Sequence, residues 1–198
     1  MKSIIFNTDE TRAILDNRKS AFRLPVQQIT LASCAAFGSK TDFANDNEKQ
    51  EFIEEFFLHN SRYKVGDIIY VRETWRKTGV QIEPYAYKAT ENLLHLLGED
   101  NNIVTVKYRW KSPATMPREA ARIFLRVTGV RCEKLQNALC GGMKAEGIIP
   151  ATVTGGQWQQ WQREYFKPVW NEKYAKKGYP WESNPWVWVI EFERTEKP

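Results

Sequence analysis

The sequence predicts an α+β fold: a strongly bent, mixed β-barrel with helices packed outside it. Short segments of alternating apolar and polar residues recur along the chain, as is typical of half-buried strands. Amphipathic segments with helical periodicity lie between them. No internal repeat or linker divides the 198 residues. We therefore expect a single domain over residues 1–198, long enough to bury a real core.

Alternation predicts the strands. The three clearest, which we expect to share one sheet, are Ile68–Trp75, Arg122–Arg131 and Trp186–Glu193. Weaker candidates are Ser3–Phe6, Tyr85–Ala89 and Ile103–Tyr108.

Helices are predicted where apolar residues recur every three or four positions. A first helix follows Thr8 and ends at Asp16-Asn17, since Asn tolerates the left-handed conformation of a helix end. The others are predicted over Asp46–Asn60, Glu91–Leu97, Leu135–Glu146 and Gln157–Tyr174. In the last of these, Trp158, Trp161 and Tyr165 are predicted to face the core, and Pro168 to kink or divide the helix. Residues 27–47 show no clear period and are predicted to be a loop or insertion.

Charge and composition favour an anionic partner. The net charge is +5, the pI is about 9.0, and aromatic residues, eight Trp among them, make up 13% of the chain. Nucleic acid is the commonest partner of such a chain, although the same charge also serves solubility. No run of Lys or Arg exceeds two residues, so a basic tail that wraps long DNA is excluded.

The sequence lacks the motifs of several functional classes, namely metal-binding, nucleotide-binding, secreted and membrane-spanning proteins. The three Cys and two His are scattered without the spacing of a zinc site, so no metal is expected. The nucleotide-binding glycine motif is absent, and no cofactor is expected. The first residues lack an apolar signal segment, and no stretch is long enough to span a bilayer. We expect a cytoplasmic protein without a membrane partner, and the sparse, odd number of Cys suits a reducing compartment.

Two segments carry candidate site residues. Between residues 18 and 23, strand alternation places Lys19 and Arg23 on one face and Ser20 on the other. Such a pair of cations can hold an anion or a polarised carbonyl, but the pattern is also typical of a solvated strand end.

Farther along, Arg72 and Trp75 close a hydrophobic strand, and Trp110 begins a Pro-containing loop that ends at Arg118. These residues fit a barrel rim with a lid over a ligand. They fit equally a surface ion pair beside a core Trp, followed by a crossover loop. We take Arg23, Arg72, Trp75 and Trp110 as candidate ligand-binding residues.

Five segments, in order, together resemble the ASCH domains of the PUA-like superfamily. They are Ile14–Ser20 (similar to I-L-x-G-R-K-T), Tyr63–Ile69 (Y/F-K-x-G-D-x-L), the strand Arg122–Val130, Lys144–Gly147 (A-x-x-E-G) and Trp188–Phe192 (V-I-E-F). With Val71–Trp75 and Asn184–Trp188, the chain is similar to the longer ASCH-like proteins of bacteriophages and prophages. Relative to the small family members, it carries insertions at about 24–62 and 76–118.

The resemblance implies a barrel with a cleft beside the helices, usually linked to RNA. One bacterial branch hydrolyses the acetyl amide of N4-acetylcytidine with a Lys, a Thr and a Glu. The Lys corresponds to Lys19 and the Glu to Glu146, but Phe22 stands at the Thr position. Ser20 is then the nearest hydroxyl, and Lys19, Ser20 and Glu146 are the candidate catalytic residues.

Three hypotheses stay open at this point. The leading one is a binding module that recognises an RNA base or a nucleoside in the cleft. The second is an amidohydrolase that deacylates an N4-acylated cytidine, with Ser20 or a water as nucleophile. The third is a phage-encoded protein–protein interaction factor that binds its partner through the insertions.

Overall fold

The computed structural model describes residues 1–79, 81–90, 95–97, 103–105, 109–137, 144–148 and 162–198. A five-stranded mixed sheet organises them, in the order β1-β3-β8-β9-β2. Its strands are β1 (Lys2–Ile5), β2 (Ala21–Pro25), β3 (Ile68–Arg72), β8 (Phe124–Lys134) and β9 (Trp186–Thr195). Strand β1 runs parallel to β3, and the other neighbours are antiparallel.

Two short hairpins lie outside this sheet. One pairs β4 (Trp75–Lys77) with β5 (Tyr85–Tyr87), and the other pairs β6 (His95–Leu97) with β7 (Ile103–Thr105). The predicted strand Ile68–Trp75 is therefore interrupted at Glu73 and Thr74, where the chain leaves the main sheet. The helix predicted over Glu91–Leu97 is wrong at residues 95–97, which form a strand; its first part lies outside the described residues.

The described residues contain four α-helices: α1 (Thr8–Leu15), α2 (Gln28–Gly38), α3 (Asp46–Asn60) and α4 (Lys167–Tyr174). Helix α1 is capped by Asn7, whose side chain accepts from the Glu10 backbone while the Glu10 carboxylate accepts from the Asn7 backbone. The predicted left-handed helix end is confirmed, since Asn17 has a φ of 56°. Helix α3 has the predicted bounds, whereas α2 occupies much of the segment predicted as a loop.

Other helix predictions are only partly testable. Residues 135–137 form a 3₁₀ turn, and 138–143, in the middle of the predicted helix Leu135–Glu146, lie outside the described residues. Trp158 and Trp161 also lie outside them. Tyr165 was predicted to face the core, but its residue is 37% exposed. Its neighbour Phe166 is buried instead, together with Trp170 and Tyr174, and a π-helical turn at Gln162–Phe166 precedes α4.

The main sheet is buried on both faces along β9. Trp188, Ile190 and Phe192 pack into a core with α1, α2 and α3, while Val187 and Val189 pack on the other face against α4. A third cluster surrounds Trp75. Most of the described Trp residues therefore serve packing, and the segment 24–62, predicted to be an insertion, contributes Cys34 and Phe57 to the main core.

The predicted α+β class is confirmed, and the three clearest predicted strands do share one sheet. Closure into a barrel is not seen in the described part of the chain, because its edge strands β1 and β2 do not pair with each other. The resulting sheet is open, and it brings residues 19–23 beside β9 and residue 146.

Candidate functional site

A short backbone ladder places Lys19 beside Glu146. After α1, the left-handed Asn17 turns the chain, and the Lys19 amide donates to the Ala13 carbonyl at 3.0 Å. Lys19 and Glu146 then form an antiparallel bridge, and the amides of Ser20 and Ala21 both donate to the Ala145 carbonyl. The two residues, far apart in the sequence, are thus held together by the backbone.

Their side chains belong to a mostly buried set of three cations and three carboxylates, called here the ion cluster. Its members are Lys19, Arg23, Lys173, Glu10, Glu133 and Glu146. The side chains of Lys19 and Arg23 are 0% exposed, whereas that of Lys173 is 36% exposed. Equal numbers of opposite charges satisfy the condition under which charges can be buried at all.

Lys19 lies at the centre of the cluster. Its Nζ donates to the Glu146 carbonyl at 3.2 Å and lies 3.6 Å from Glu10 Oε1 and 3.9 Å from Glu146 Oε2. The Phe6 ring centroid is 5.3 Å away. Burial lowers the pKa of Lys19, and the charges of Glu146 and Glu10 oppose that shift without reversing it.

Arg23 is held between two carboxylates. Its Nη1 donates to Glu146 Oε1, while Nε and Nη2 donate to Glu133 Oε1 at 3.1 and 2.8 Å. Burial acts to lower the pKa of Arg23, but Glu146 and Glu133 together hold it above its ordinary value. Tyr174 donates to the Arg23 carbonyl at 3.2 Å, and burial raises the pKa of its phenol.

A cavity of about 410 Å³ opens beside the ion cluster. It shares three residues with the surroundings of Lys19: the Phe6 ring, the Glu10 carboxylate and the Lys173 ammonium, which donates to Glu10 at 3.1 Å. Thr74 and Pro113 contribute to its wall from the segments that flank β4. Below, this space is called the first cavity.

The structure separates the predicted site residues into two groups. Lys19, Arg23 and Glu146 come together in the ion cluster. Ser20 is exposed, whereas its neighbour Lys19 is buried, as strand alternation requires. Phe22, which the resemblance to ASCH domains places at the Thr position, packs against Phe6, Tyr63 and Phe192 in the main core.

Arg72, Trp75 and Trp110 lie elsewhere. Arg72 donates to the Ala114 carbonyl, and Trp75 is 3% exposed in the third core cluster, with Tyr85 against its ring. The Trp110 ring lies 5.6 Å from the Arg76 guanidinium. None of the three lines the first cavity, so in the described chain they do not contribute to a common site with Lys19.

Three members of the ion cluster were missed from the sequence: Glu10, Glu133 and Lys173. Glu10 was recognised only as an acidic residue in the first turn of α1, where a negative charge stabilises the helix. It does cap that helix, in addition to its place in the ion cluster. Its contacts with Lys19 and Lys173 cross long stretches of chain, which local patterns do not reveal.

The fold and the site thus define an α+β chain with a buried ion cluster beside a cavity. A scan against protein-family models found no match to this chain, and searches of curated proteins and of solved structures found none either. In the described residues, no His, Cys, Asp and Glu side chains form a group suited to holding a metal ion. None of the helices described has the length and apolar character needed to cross a bilayer.

Proposed function

We propose that this chain is a PUA-like binding module of the ASCH type, and that its first cavity binds an RNA base or a nucleoside. One observation carries the proposal: the cavity of about 410 Å³ shares Phe6, Glu10 and Lys173 with the surroundings of Lys19. Its size falls in the range of pockets that enclose small ligands, about 300–1,000 Å³. The motifs that resemble ASCH domains supply Lys19 and Glu146.

The wall of the first cavity has the chemistry that a base requires. Ile5 and Val169, which are 45% and 37% exposed, offer apolar contact to the base, while the fully buried Phe6 supports the wall from behind. The Glu10 carboxylate accepts hydrogen bonds from an exocyclic amino group of the cytosine type. The Lys173 ammonium donates to a carbonyl of the base. A ligand with donors and acceptors on one planar edge fits this combination.

Binding is favoured over hydrolysis by the side chains near Lys19. Phe22 is a core residue, and the exposed Ser20 faces away from Lys19, so neither supplies a nucleophile there. One observation favours the second candidate, an amidohydrolase that uses water: the pKa of Lys19 is lowered, and Glu146 lies 3.9 Å from its Nζ. Acetate release from N4-acetylcytidine by the wild-type protein would establish that activity.

The decisive variant is Glu10→Gln. Glutamine preserves the capping box of α1 but removes the negative charge at the cavity wall, and the buried Lys19 keeps Glu146 as a carboxylate partner. We expect the affinity for cytidine to fall at least about tenfold, since a hydrogen bond to a charged group contributes about 1.5–3 kcal/mol. Isothermal titration with the four common nucleosides at low salt measures the effect.

Asp9→Asn is the matched control, because Asp9 lies in the same helical turn with its side chain 90% exposed. It should leave the affinity unchanged. Lys19→Ala and Glu146→Ala are less suitable, since each leaves buried charge unpaired and threatens the fold. Wild-type protein that binds none of the four nucleosides would contradict the proposal, as would equal losses in Glu10→Gln and Asp9→Asn.

A further inference from the structure

A second cavity, of about 520 Å³, is lined by Arg76 of β4, two residues along the chain from Thr74 of the first cavity. Thr74 lines the first cavity, while the preceding Glu73 forms an ion pair with Arg122, which lines the second. Two hydrogen bonds stiffen the boundary: the Lys88 backbone amide donates to the Thr74 carbonyl at 3.0 Å, and the Arg12 side chain of α1 donates through Nε to the Ala89 carbonyl at 3.1 Å. The two cavities are therefore neighbours across a short, fixed piece of chain.

Arg122 is held rigidly in the second cavity. Its Nε and Nη2 donate to the two oxygens of Glu73 at 2.9 and 3.0 Å, and its Nη1 donates to Thr90 at 3.1 Å. The guanidinium carbon lies 4.0 Å from the centroid of the Tyr87 ring. A guanidinium has five N–H donors, and these bonds engage three of them. The Arg122 side chain is 28% exposed, so a ligand can reach it.

A second guanidinium, that of Arg76, lines the same cavity and lies over Trp110. Thr78, Thr90 and Glu83 also line it, so its wall carries two guanidinium groups against one carboxylate. The adjoining segment, residues 109–122, contains four Lys or Arg and one carboxylate. Two planar guanidinium groups on aromatic supports are suited to phosphate, which their fork geometry binds with two hydrogen bonds.

We propose that the second cavity binds the phosphodiester group next to the base held in the first cavity, so that the ligand is a single-stranded polynucleotide rather than a free nucleoside. This inference rests on the function proposed above. Arg76 and Arg122 contact the phosphate, and the β3–β4 junction lies beneath the sugar that joins it to the base. The insertion at 76–118 thereby gains a role, because it supplies β4, β5 and Arg76.

The test compares cytidine with the trinucleotide UCU, as RNA and as DNA, for the wild type and two variants. Arg76→Gln removes one guanidinium. Arg122→Lys keeps a positive charge beside the buried Glu73 but loses the planar guanidinium group that can donate two parallel hydrogen bonds to a phosphate. We expect the wild type to bind the trinucleotide at least about tenfold more tightly than cytidine. Each variant should lose at least about fivefold of the trinucleotide affinity while its affinity for cytidine stays the same.

Salt dependence gives a second readout. Losing one phosphate contact should reduce the slope of log K against log salt by about 0.7 for a single strand. The control is Arg126→Gln, whose guanidinium is exposed on β8, pairs with Glu193 and lines neither cavity. It should change neither the slope nor the affinity beyond twofold.

The outcomes separate the two proposals. Equal wild-type affinity for cytidine and the trinucleotide overturns the second cavity's role and leaves the first intact. The same conclusion follows if Arg76→Gln and Arg122→Lys bind the trinucleotide as Arg126→Gln does. Wild-type protein that binds neither ligand overturns both proposals. If the DNA trinucleotide binds more weakly than the RNA trinucleotide, the ligand is single-stranded RNA. If the two bind equally, the site accepts single-stranded RNA and single-stranded DNA alike.

Discussion

Glu146 joins both buried cations of the candidate site. Its Oε1 accepts from Arg23, and its Oε2 lies 3.9 Å from Lys19 Nζ, while its own side chain is only 9% exposed. Glu133 also accepts from Arg23, but its side chain is 19% exposed and it does not contact Lys19. The two carboxylates therefore differ in how much buried positive charge each one neutralises.

We predict unequal costs for neutralising these two carboxylates. Glu146→Gln should lower the free energy of unfolding by about 3–5 kcal/mol, since breaking a buried ion pair leaves an uncompensated charge. Glu133→Gln should cost less, about 1.5–3 kcal/mol, because Arg23 keeps Glu146 as a partner and loses only its charged hydrogen bonds to Glu133. Urea unfolding of both variants at neutral pH measures the difference. Equal losses would show that Lys19 does not depend on Glu146 for its charge balance.

At the scale of residues, the sequence revealed half of the ion cluster. Lys19, Arg23 and Glu146 could be selected because strand alternation and the ASCH-like motifs mark them. Trp75 was selected as a ligand contact, but it is a core residue, since composition alone cannot distinguish a stacking ring from a packed one. Glu133 could not be found from the sequence. It reaches Arg23 because β8 and β2 both lie next to β9, and no local pattern indicates that strand order.

Among the elements, the approach of residue 147 to α1 fixes the geometry of the site. Gly147 has a φ of 71°, and a Cβ atom there would lie 2.8 Å from Ala13 Cβ and 3.1 Å from Lys19 Cβ. Only glycine combines this backbone conformation with such a close contact. The turn thereby holds Glu146 against the strand that carries Lys19.

A matched pair of substitutions tests this contact. Gly178 also has a positive φ, 89°, but nothing lies within 4 Å of a Cβ atom built on it. Gly178→Ala should therefore cost only the backbone strain, about 1–2 kcal/mol. Gly147→Ala should cost at least about 1 kcal/mol more, because the crowded Cβ adds to that strain. Thermal unfolding of the two variants provides the comparison, and a smaller loss for Gly147→Ala would contradict the close approach.

Elements with strong periodicity could be predicted, and those defined by tertiary contacts could not. The acidic helix α3 has its predicted bounds because its Asn45 cap and its apolar face are both local signals. Helix α2 was missed because its apolar residues surround it without forming a clear face, and it is stabilised by contact with α3 and the sheet. The π-helical turn before α4 was also missed, since a single π-helical turn has no periodic signal in the sequence.

Across the whole molecule, the three hydrophobic clusters share strands of one sheet. Leu24 on β2 packs against the clusters on both faces, and the adjacent residues Phe124 and Leu125 on β8 belong to the third cluster and the main core. Disrupting any one cluster therefore disturbs a strand on which another depends. This arrangement indicates one cooperative unit.

We accordingly predict a single unfolding transition. Each cluster contains at least one buried tryptophan: Trp188 in the main core, Trp170 of α4 in the second cluster and Trp75 in the third. Tryptophan fluorescence should therefore report on all three, and its urea midpoint should coincide with that of far-UV circular dichroism. Two separated midpoints would divide the chain into independent units and contradict the prediction of one domain.

The order of strands in the main sheet also has a consequence for biosynthesis. In the described sheet, β2 pairs with β9 and with no other strand. At translation rates of about 5–20 residues per second, β2 waits on the order of ten seconds for β9 to leave the ribosome. During that interval the nascent chain exposes Phe22, and Lys19 and Arg23 remain hydrated. The ion cluster is therefore completed late in biosynthesis, after β9 has left the ribosome.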